Sequence, residues 1–351
     1  MTNMKNKYLK PVLLMCLSIM AFTSKSQNIA ELSQFFKAEK NDASALIKSY
    51  VSPAVNAISN GMTSGWYTTG KAHKTLGFDL GVSLSAVFTP SSDNYFTPAL
   101  SSNTTFKNLT NPSQGAPSVV GPKDITEYKS TYDPDGASGS LPQQTFTING
   151  PEGLDLKKNI GFSALPVPMI QLGIGIIKNT DLKIRFVPEQ KSNSVTFKMF
   201  GIGVMHDIKQ HIPGIKKLPF DLSVLAAYNS VSGTASLAST SGVTSNDGSL
   251  AYKLNSWVAQ AIISKKISVL TGYLGVGYGS VNSNVDITGT FMVPTSTIPF
   301  SIKDPLALGL SNSSAKLTAG IRLKFGPVYL SGDYTLQKYD ALTLGFGFAV
   351  R

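Results

Sequence analysis

The sequence predicts an all-β fold, a transmembrane antiparallel up-and-down β-barrel of 12–14 strands with a short N-terminal helical plug or cap. Three observations lead to this prediction. The C-terminus is a meander of alternating apolar residues, the N-terminus reads as an export signal, and no apolar run after Gln27 approaches the ~18 residues of a membrane helix. A chain of this kind can enter a membrane only as a closed barrel, because backbone groups in lipid need partners within the protein.

The C-terminal meander contains three runs in which apolar side chains fall on every second position, Ala315–Phe325, Val328–Leu336 and Leu342–Val350. Successive side chains of a strand point to opposite faces, so each run has one apolar face and one polar face. Each run also reaches the roughly 9 to 11 residues that a tilted strand needs to cross a bilayer. These runs therefore predict membrane-spanning strands.

The first residues predict a signal peptide over residues 1–26. A basic stretch with three lysines precedes the apolar run Pro11 to Thr23, and Ser24-Lys25-Ser26 places small residues where a signal peptidase reads, so cleavage is expected before Gln27. Cleavage would remove four lysines and no acid, which lowers the formal charge from +11 to +7. It would also remove Cys16, the only cysteine. The mature protein is then exported and has no thiol chemistry.

Residues 27–61 differ from the rest of the chain because their apolar residues have helical spacing. A first helix is predicted from the spacing of Ile29, Leu32, Phe35 and Phe36, and a second begins after the N-cap pair Asn41-Asp42 and ends at Asn60-Gly61. This leader could be a periplasmic cap on the barrel mouth or a plug in the lumen, since barrels of middling size show both arrangements.

The barrel itself is predicted over residues 62–351. Phe78–Phe88 alternates as cleanly as the C-terminal runs. Further strands are predicted at Trp66–Thr69, Ile170–Ile177, Leu182–Val187, Val195–Val204, Leu222–Tyr228, Tyr252–Ile263 and Leu270–Gly279, with weaker patterns at Val231–Leu237 and Val285–Met292. Because bacterial barrels have an even number of strands, these patterns favour 12–14.

The connections between strands are unequal in length. Residues 90–159, rich in Ser, Thr, Asn, Pro and Gly, form a predicted long extracellular loop region, and Ser239–Gly248 is a second loop. The connections at Lys178–Asp181, Ser264–Lys266 and Gly326-Pro327 are short and predict periplasmic turns.

Two stretches interrupt the strand pattern. Gly275, Gly277 and Gly279 alternate with larger residues, which indicates glycines that clear space inside a crowded lumen. Met205–Pro219 has helical spacing at Ile208 and Ile212 and predicts either a short amphipathic helix at the membrane interface or a packed connector.

The polar faces of the strands carry a predicted lumen-facing basic set. Five basic side chains face only Asp79 and Asp333 on these faces, and such an interior would favour carboxylate or phosphate groups. The set is Lys183, Arg185, Lys316, Arg322 and Lys324. The alternative is that several of these residues lie near the rim and only solubilise strand ends.

The sequence offers little for catalysis or for nucleic acid. Arginine is scarce and the basic residues are dispersed, so nucleic acid is not an expected partner. His206 and His211 lack the spacing of metal ligands, no Gly-x-Ser-x-Gly elbow occurs, and Asp133–Gly136 is an incomplete calcium loop. We therefore expect no catalytic residue, no cofactor and no metal, with an outer-membrane lipid hydrolase or acyltransferase as the alternative.

The chain resembles an uncharacterised family of Gram-negative outer-membrane β-barrel proteins, a domain of unknown function. The resemblance rests on Gly201–Pro213 followed by Leu218–Leu222, together with Ser64–Tyr67. The helical leader, the strand count and the interrupted strand are also distantly similar to the long-chain fatty-acid outer-membrane transporter superfamily, which implies passage of hydrophobic compounds. No binding residue of that superfamily carries over.

These observations predict an outer-membrane channel or transporter for small hydrophobic or amphipathic molecules. The alternative is a non-transporting structural, adhesive or envelope-maintenance barrel, and a third class is a soluble exported β-sandwich. The expected partners are outer-membrane lipids, the barrel-assembly machinery, which would read Phe346 and Phe348, and a hydrophobic or amphipathic small-molecule cargo.

Overall fold

A computed structural model describes residues 32–37, 40–97, 100, 107–110, 115–132, 144–192, 195–237, 244–293 and 300–350. The predicted signal peptide and the first residues of the predicted leader lie outside this part of the chain. Among the described residues, no helix is both long enough and apolar enough to cross a membrane.

Ten antiparallel strands form a closed barrel. Each strand pairs with the next along the chain, and the first pairs with the last, so the all-β up-and-down barrel predicted from the sequence is confirmed. The strands are β1 Phe78–Phe88, β2 Ala164–Ile177, β3 Thr180–Ser192, β4 Val195–Asp207, β5 Asp221–Ser236, β6 Ser249–Ile267, β7 Leu270–Thr288, β8 Leu306–Phe325, β9 Val328–Leu336 and β10 Ala341–Val350.

The barrel has ten strands and not the 12–14 that the sequence predicted. The patterns at Val231–Leu237 and Val285–Met292 predict separate strands, but residues 231–236 continue β5 and residues 285–288 continue β7, which have lengths of 16 and 19 residues. The rest of the second pattern lies in the short strand Thr290–Val293 outside the barrel wall. Trp66–Thr69 is not a strand, and Trp66 is fully buried. Long strands that extend beyond the membrane thus explain two of the three excess strands, and the non-strand stretch Trp66–Thr69 is the third.

The two ends of the barrel differ. At the turn end, Phe78 pairs with Val350, and short connections join β2 to β3, β6 to β7 and β8 to β9. At the loop end, residues 89–163 join β1 to β2, and shorter loops join β5 to β6 and β7 to β8. The strand register therefore reproduces the long-and-short asymmetry of outer-membrane barrels.

The outer wall is apolar and the inner wall is polar. Along β10, Leu344, Phe346 and Phe348 are exposed, whereas the alternating Thr343 and Ala349 are buried. Toward the loop end, exposed aromatic residues on several strands border this apolar band. They are Phe186, Phe200, Tyr228, Trp257, Tyr278 and Tyr334. An outward apolar band bordered by aromatic residues is the surface by which a barrel sits in a bilayer, so the chain is a membrane-spanning barrel.

The region between β1 and β2 has structure of its own, where the sequence predicted only loop. Its elements are the 3-10 helix Ser91–Asn94, the strands Tyr95–Phe96, Lys107–Asn108, Ala116–Pro117, Glu127–Tyr132 and Gln144–Asn149, and the α-helix α2 Leu156–Ile160. Lys107–Asn108, Glu127–Tyr132 and Gln144–Asn149 form one antiparallel sheet. A further hairpin, Thr290–Val293 with Phe300–Lys303, lies between β7 and β8.

The connection between β4 and β5 does not contain the amphipathic helix that is one of its two predicted forms. Met205 and His206 belong to β4, and the only helical piece is the 3-10 turn Lys209–His211. The β4–β5 pairing brings Asp207 next to Ser223, and residues 208–220 connect the two strands at the turn end with most of their side chains exposed. No amphipathic helix forms in this described segment, which fits the connector interpretation.

The N-terminal segment lies within the barrel. The 3-10 helix Leu32–Lys37 precedes the α-helix α1 Lys40–Met62, and residues 63–77 lead from α1 to β1. Side chains from strands around the whole wall contact this stretch, including Arg185 of β3 and Asn229 of β5. We refer to residues 40–77 as the inner segment.

Candidate functional site: the barrel lumen

All five residues of the predicted basic set lie on the inner face of the wall. Lys183, Arg185, Lys316 and Arg322 are buried, and Lys324 is half-buried near the turn end. Whether any of them binds a ligand stays a prediction. The contacts differ between the members, because some of them hold the inner segment.

Arg185 is the central contact between wall and inner segment. Its Nη1 donates to the carbonyl of Met62 at 2.8 Å, and its Nη2 donates to the carbonyl of Ser64 at 2.9 Å. Its Nε donates to Gln171 at 2.9 Å, and the Gln171 amide donates to the Trp66 carbonyl at 3.1 Å. The planar fork of a guanidinium suits two carbonyls that follow the end of a helix. Arg185 therefore satisfies backbone groups that α1 leaves open at its C-terminus.

The ring of Trp66 also contacts the Arg185 guanidinium. The Arg185 guanidinium carbon lies 3.9 Å from the centre of the Trp66 ring, a cation–π arrangement. A Cβ atom at Gly203 would lie 3.1 Å from the same ring, so this position on β4 makes room for the indole. Asn229 donates to the Met62 carbonyl at 3.2 Å from a neighbouring strand.

The wall also contacts the C-terminal end of α1 from the side of β8 and β9. Gln337 donates to the Asn60 carbonyl at 3.4 Å and to the Ser64 hydroxyl at 3.3 Å. Lys316 Nζ donates to the Gln337 side chain, so this lysine acts on the inner segment through Gln337.

Nearer the turn end, Tyr67 fills the lumen next to β6 and β7. Its hydroxyl accepts from Gln260 at 3.2 Å, and its ring meets Tyr273 edge-on with centroids 5.8 Å apart. A Cβ atom at Gly275 would lie 1.8 Å from the Tyr67 hydroxyl oxygen. The prediction that glycines of β7 clear space in the lumen is therefore confirmed at Gly275.

At the turn end, charged side chains fix the inner segment before β1. His73 donates its backbone N–H to Asp181 at 2.8 Å, and its Nδ1 lies 2.9 Å from the same carboxylate. Its Nε2 lies 3.7 Å from Asp79, and Lys183 lies 4.0 Å from Asp181. Close by, Gly70 donates to the Ser264 hydroxyl at 2.9 Å and accepts from Ser223.

Arg322 has different surroundings from Arg185. Its guanidinium carbon lies 4.0 Å from the centre of the Tyr329 ring, but Nε and Nη2 have no hydrogen-bond partner among the described residues. Asp333 accepts from Tyr273 at 3.0 Å through one carboxylate oxygen. Arg322 thus has two nitrogens whose donor capacity is not used by the described residues.

The loop end is sealed by apolar side chains. Phe35 and Phe36 of the 3-10 helix pack with residues of α1, β7, β8 and the β1–β2 region. Phe36 meets Phe291 with ring centroids 4.8 Å apart, and Phe35 meets Tyr128 at 5.9 Å. Beside this seal, the buried Tyr339 donates to Asp93, and burial together with that hydrogen bond raises the pKa of Tyr339.

The width of the barrel explains why one helix occupies the lumen. A strand spacing of about 4.8 Å and a tilt of about 40° place opposite backbones of a ten-stranded barrel roughly 20 Å apart. A helix with its side chains is about 10–12 Å wide, and the inward side chains of the wall take up the rest. In this arrangement the lumen binds its own chain.

The lumen offers no constellation for metal chemistry within the described residues, where no group of three His, Cys, Asp or Glu side chains converges. Sequence reasoning missed Asp181, Gln171 and His73 as lumen residues. Asp181 could have been found, because it precedes Leu182 in the alternation of β3. His73 could not, since nothing local predicts that its segment enters the barrel.

We expect Arg185→Met to weaken attachment of the inner segment. The change removes the donors to the Ser64 carbonyl and to Gln171 and leaves the Met62 carbonyl with Asn229 alone, which should cost about 3 kcal/mol in the free energy of unfolding. Urea titration of protein in vesicles measures the loss, and Arg322→Met, whose guanidinium makes no recorded hydrogen bond in the described chain, is the matched control. Equal losses in the two variants would contradict the role assigned to Arg185.

The chain has low sequence identity to the solved structures that resemble it. No curated protein matches it. Among solved structures, the translocator domain of autotransporter NalP from Neisseria meningitidis is 11% identical and covers 86% of this chain and 96% of its own, with a TM-score of 0.33. The attachment invasion locus protein Ail of Yersinia pestis is 9% identical over 78% of this chain and 97% of its own, with a TM-score of 0.26.

The outer-membrane channel DcaP of Acinetobacter baumannii is 10% identical over 80% of this chain and 100% of its own, with a TM-score of 0.19. The sequence matches a protein family more strongly than the fold matches these structures. It fits a family model over residues 4–350, and the chain therefore belongs to the Family of unknown function (DUF6588).

Proposed function

We propose that this outer-membrane barrel is a closed anchor that presents its N-terminal part and its β1–β2 region at the cell surface. The observation that carries the proposal is the path of the inner segment, which runs from the loop end to the turn end through the lumen. In a barrel filled in this way, the inner segment occupies the space through which a solute would have to pass.

The sidedness of the barrel follows from its connections. Bacterial outer-membrane barrels place short turns in the periplasm and long loops outside, and here the ends of β1 and β10 share the turn end. The loop end then faces the outside of the cell. Leu32, Phe35 and Phe36 pack at that end, so the 3-10 helix Leu32–Lys37 is at the cell surface.

The surface presented in this way is structured. The sheet of Lys107–Asn108, Glu127–Tyr132 and Gln144–Asn149 packs over the loop end through Tyr128 and Ile148, both of which belong to the apolar seal. The seal joins this sheet to α1 and to β7 and β8. An adhesive or envelope-maintenance role uses such a rigid external platform and needs no pore.

We expect an epitope tag inserted directly after Gln27 to bind antibody on intact cells, because Leu32, Phe35 and Phe36 pack at the loop end and the chain enters the barrel from that side. A tag between Gly326 and Pro327, in a turn-end connection, is the control and should bind only after the outer membrane is permeabilised. Flow cytometry of intact and permeabilised cells measures both. An N-terminal tag that becomes accessible only on permeabilisation would contradict the proposed path.

The second candidate function is a channel or transporter for small amphipathic molecules. The observation that favours it is Arg322, a buried cation on the inner wall with two nitrogens that have no partner among the described residues. Lys324 and Lys316 lie on the same strand and face. Transport would require the inner segment to leave the lumen, so the two candidates differ in whether that segment moves.

A disulfide between the inner segment and the wall separates the two candidates. A Cβ atom at Gly70 would lie 3.2 Å from the Ser264 hydroxyl oxygen, so Gly70→Cys with Ser264→Cys places two thiols within bonding reach. For the closed anchor we expect equally low conductance in planar bilayers before and after reduction. Currents in the reduced double variant that vanish on oxidation, with no such change in either single variant, would overturn the anchor and support transport.

A further inference from the structure

The outer wall of β4 to β7 has a polar extension beyond the membrane. Tyr228 of β5 lies opposite Trp257 of β6, and the Trp257 and Tyr278 rings have centroids 5.8 Å apart, so these residues form an outward aromatic row. Aromatic side chains in barrels mark the membrane–water interface. The strands continue past this row to Ser236 and Thr288, so their outward side chains there face the head-group layer.

The extension presents hydroxyl and amide groups. Tyr228 and Ser230 both donate to the Asn255 side-chain oxygen, at 3.0 and 2.9 Å. Above them, Thr196 and Thr234 share a hydrogen bond of 2.8 Å. Such side chains are the partners that sugar hydroxyl groups require.

Two lysines lie in the same outward surface. The strand register places Lys198 of β4 opposite Ser232 of β5, and Ser232 opposite Lys253 of β6, so the two lysines flank one serine in a row across three strands. Both are exposed, and within the described chain no ion pair is recorded for either. Lys191, close by, is paired with Glu189 at 3.2 Å.

These residues surround a groove of about 460 Å³ on the outside of the barrel. Lys191, Lys198 and Lys253 line it with the Thr196, Ser232 and Thr234 side chains, and Glu189 and Asp286 also border it. Since Glu189 already pairs with Lys191, Lys198 and Lys253 are the cations left to meet an anion.

The distance between the groove and the aromatic row sets a minimum size for the head group of a lipid ligand. Lys253 precedes Trp257 by four residues along β6, which is about 13 Å along the strand and about 10 Å along the membrane normal at a tilt of 40°. The head-group layer of a simple phospholipid extends only about 5–7 Å beyond the hydrocarbon. A lipid with a large phosphorylated sugar head group spans the distance from the aromatic row to both lysines.

We propose that this groove binds a phosphorylated glycolipid of the outer leaflet. Lys198 and Lys253 bind its phosphate groups, the Ser232, Thr234 and Asn255 region contacts its sugars, and its acyl chains pack below on Tyr228 and Trp257. The ligand sits on the outside of the wall, so the site is independent of whether the lumen is open.

The test is native mass spectrometry of the purified barrel in detergent with bisphosphorylated lipid A as the probe. We expect an adduct with the wild-type chain and about a tenfold weaker affinity for each lysine replaced, because each contributes a charge-assisted hydrogen bond to phosphate. The variants are Lys198→Gln, Lys253→Gln and the double variant. Lys216→Gln with Lys217→Gln, two exposed lysines at the turn end, is the matched control and should bind as the wild type does.

Three further arms identify the ligand. Dephosphorylated lipid A and phosphatidylglycerol should bind at least tenfold more weakly than bisphosphorylated lipid A, and inorganic phosphate at millimolar concentration should not displace it. Equal binding by the double variant and the control variant overturns the site, as does absence of an adduct with the wild type. Equal binding of phosphatidylglycerol, or displacement by inorganic phosphate, overturns the assignment to a glycolipid. Heat-modifiable migration on a gel confirms that each variant is folded.

Discussion

The arrangement of the whole molecule depends on the hydrogen bonds between Arg185 and the carbonyls of Met62 and Ser64. A fully buried guanidinium is costly unless its donors are satisfied, and the end of a helix leaves carbonyls that need donors. The carbonyls accept hydrogen bonds from the buried guanidinium, and the guanidinium supplies the donors that the carbonyls need. The wall strand β3 and the inner segment are consequently joined at the centre of the barrel, where water competes least.

The rest of the lumen is built around this contact. Gly203 and Gly275 leave space on the wall for Trp66 and Tyr67, and Asp181 receives His73 where the inner segment turns toward β1. Apolar residues close the loop end, and hydrogen-bonded polar residues fill the centre and the turn end. A polar interior of this kind is stable because its groups pair with one another, and the apolar groups of the wall face the bilayer.

The sequence predicted the wall much better than the contents of the lumen. Alternation at Phe78–Phe88 and in the C-terminal meander depends only on neighbours along the chain, so the strands and the two faces could be identified. Strand number was overestimated, because breaks in apolar patterning near Ser230 and Asn282 mark the edge of the membrane and not the end of a strand. The alternation of the strands predicts that the five basic residues face the lumen, but it does not predict their partners. Arg185 and Met62 are far apart in sequence, and they come into contact only when the barrel has closed.

The central claim is that residues 62–73 are packed inside the closed barrel, and hydrogen exchange of their backbone amides tests it most directly. Gly70 donates to Ser264 and His73 donates to Asp181, in both cases from buried positions on the inner segment. In the folded protein in detergent, the account predicts that these two amides exchange as slowly as those of the wall strands. Exchange within seconds at Gly70 and His73, with the wall still protected, would contradict it.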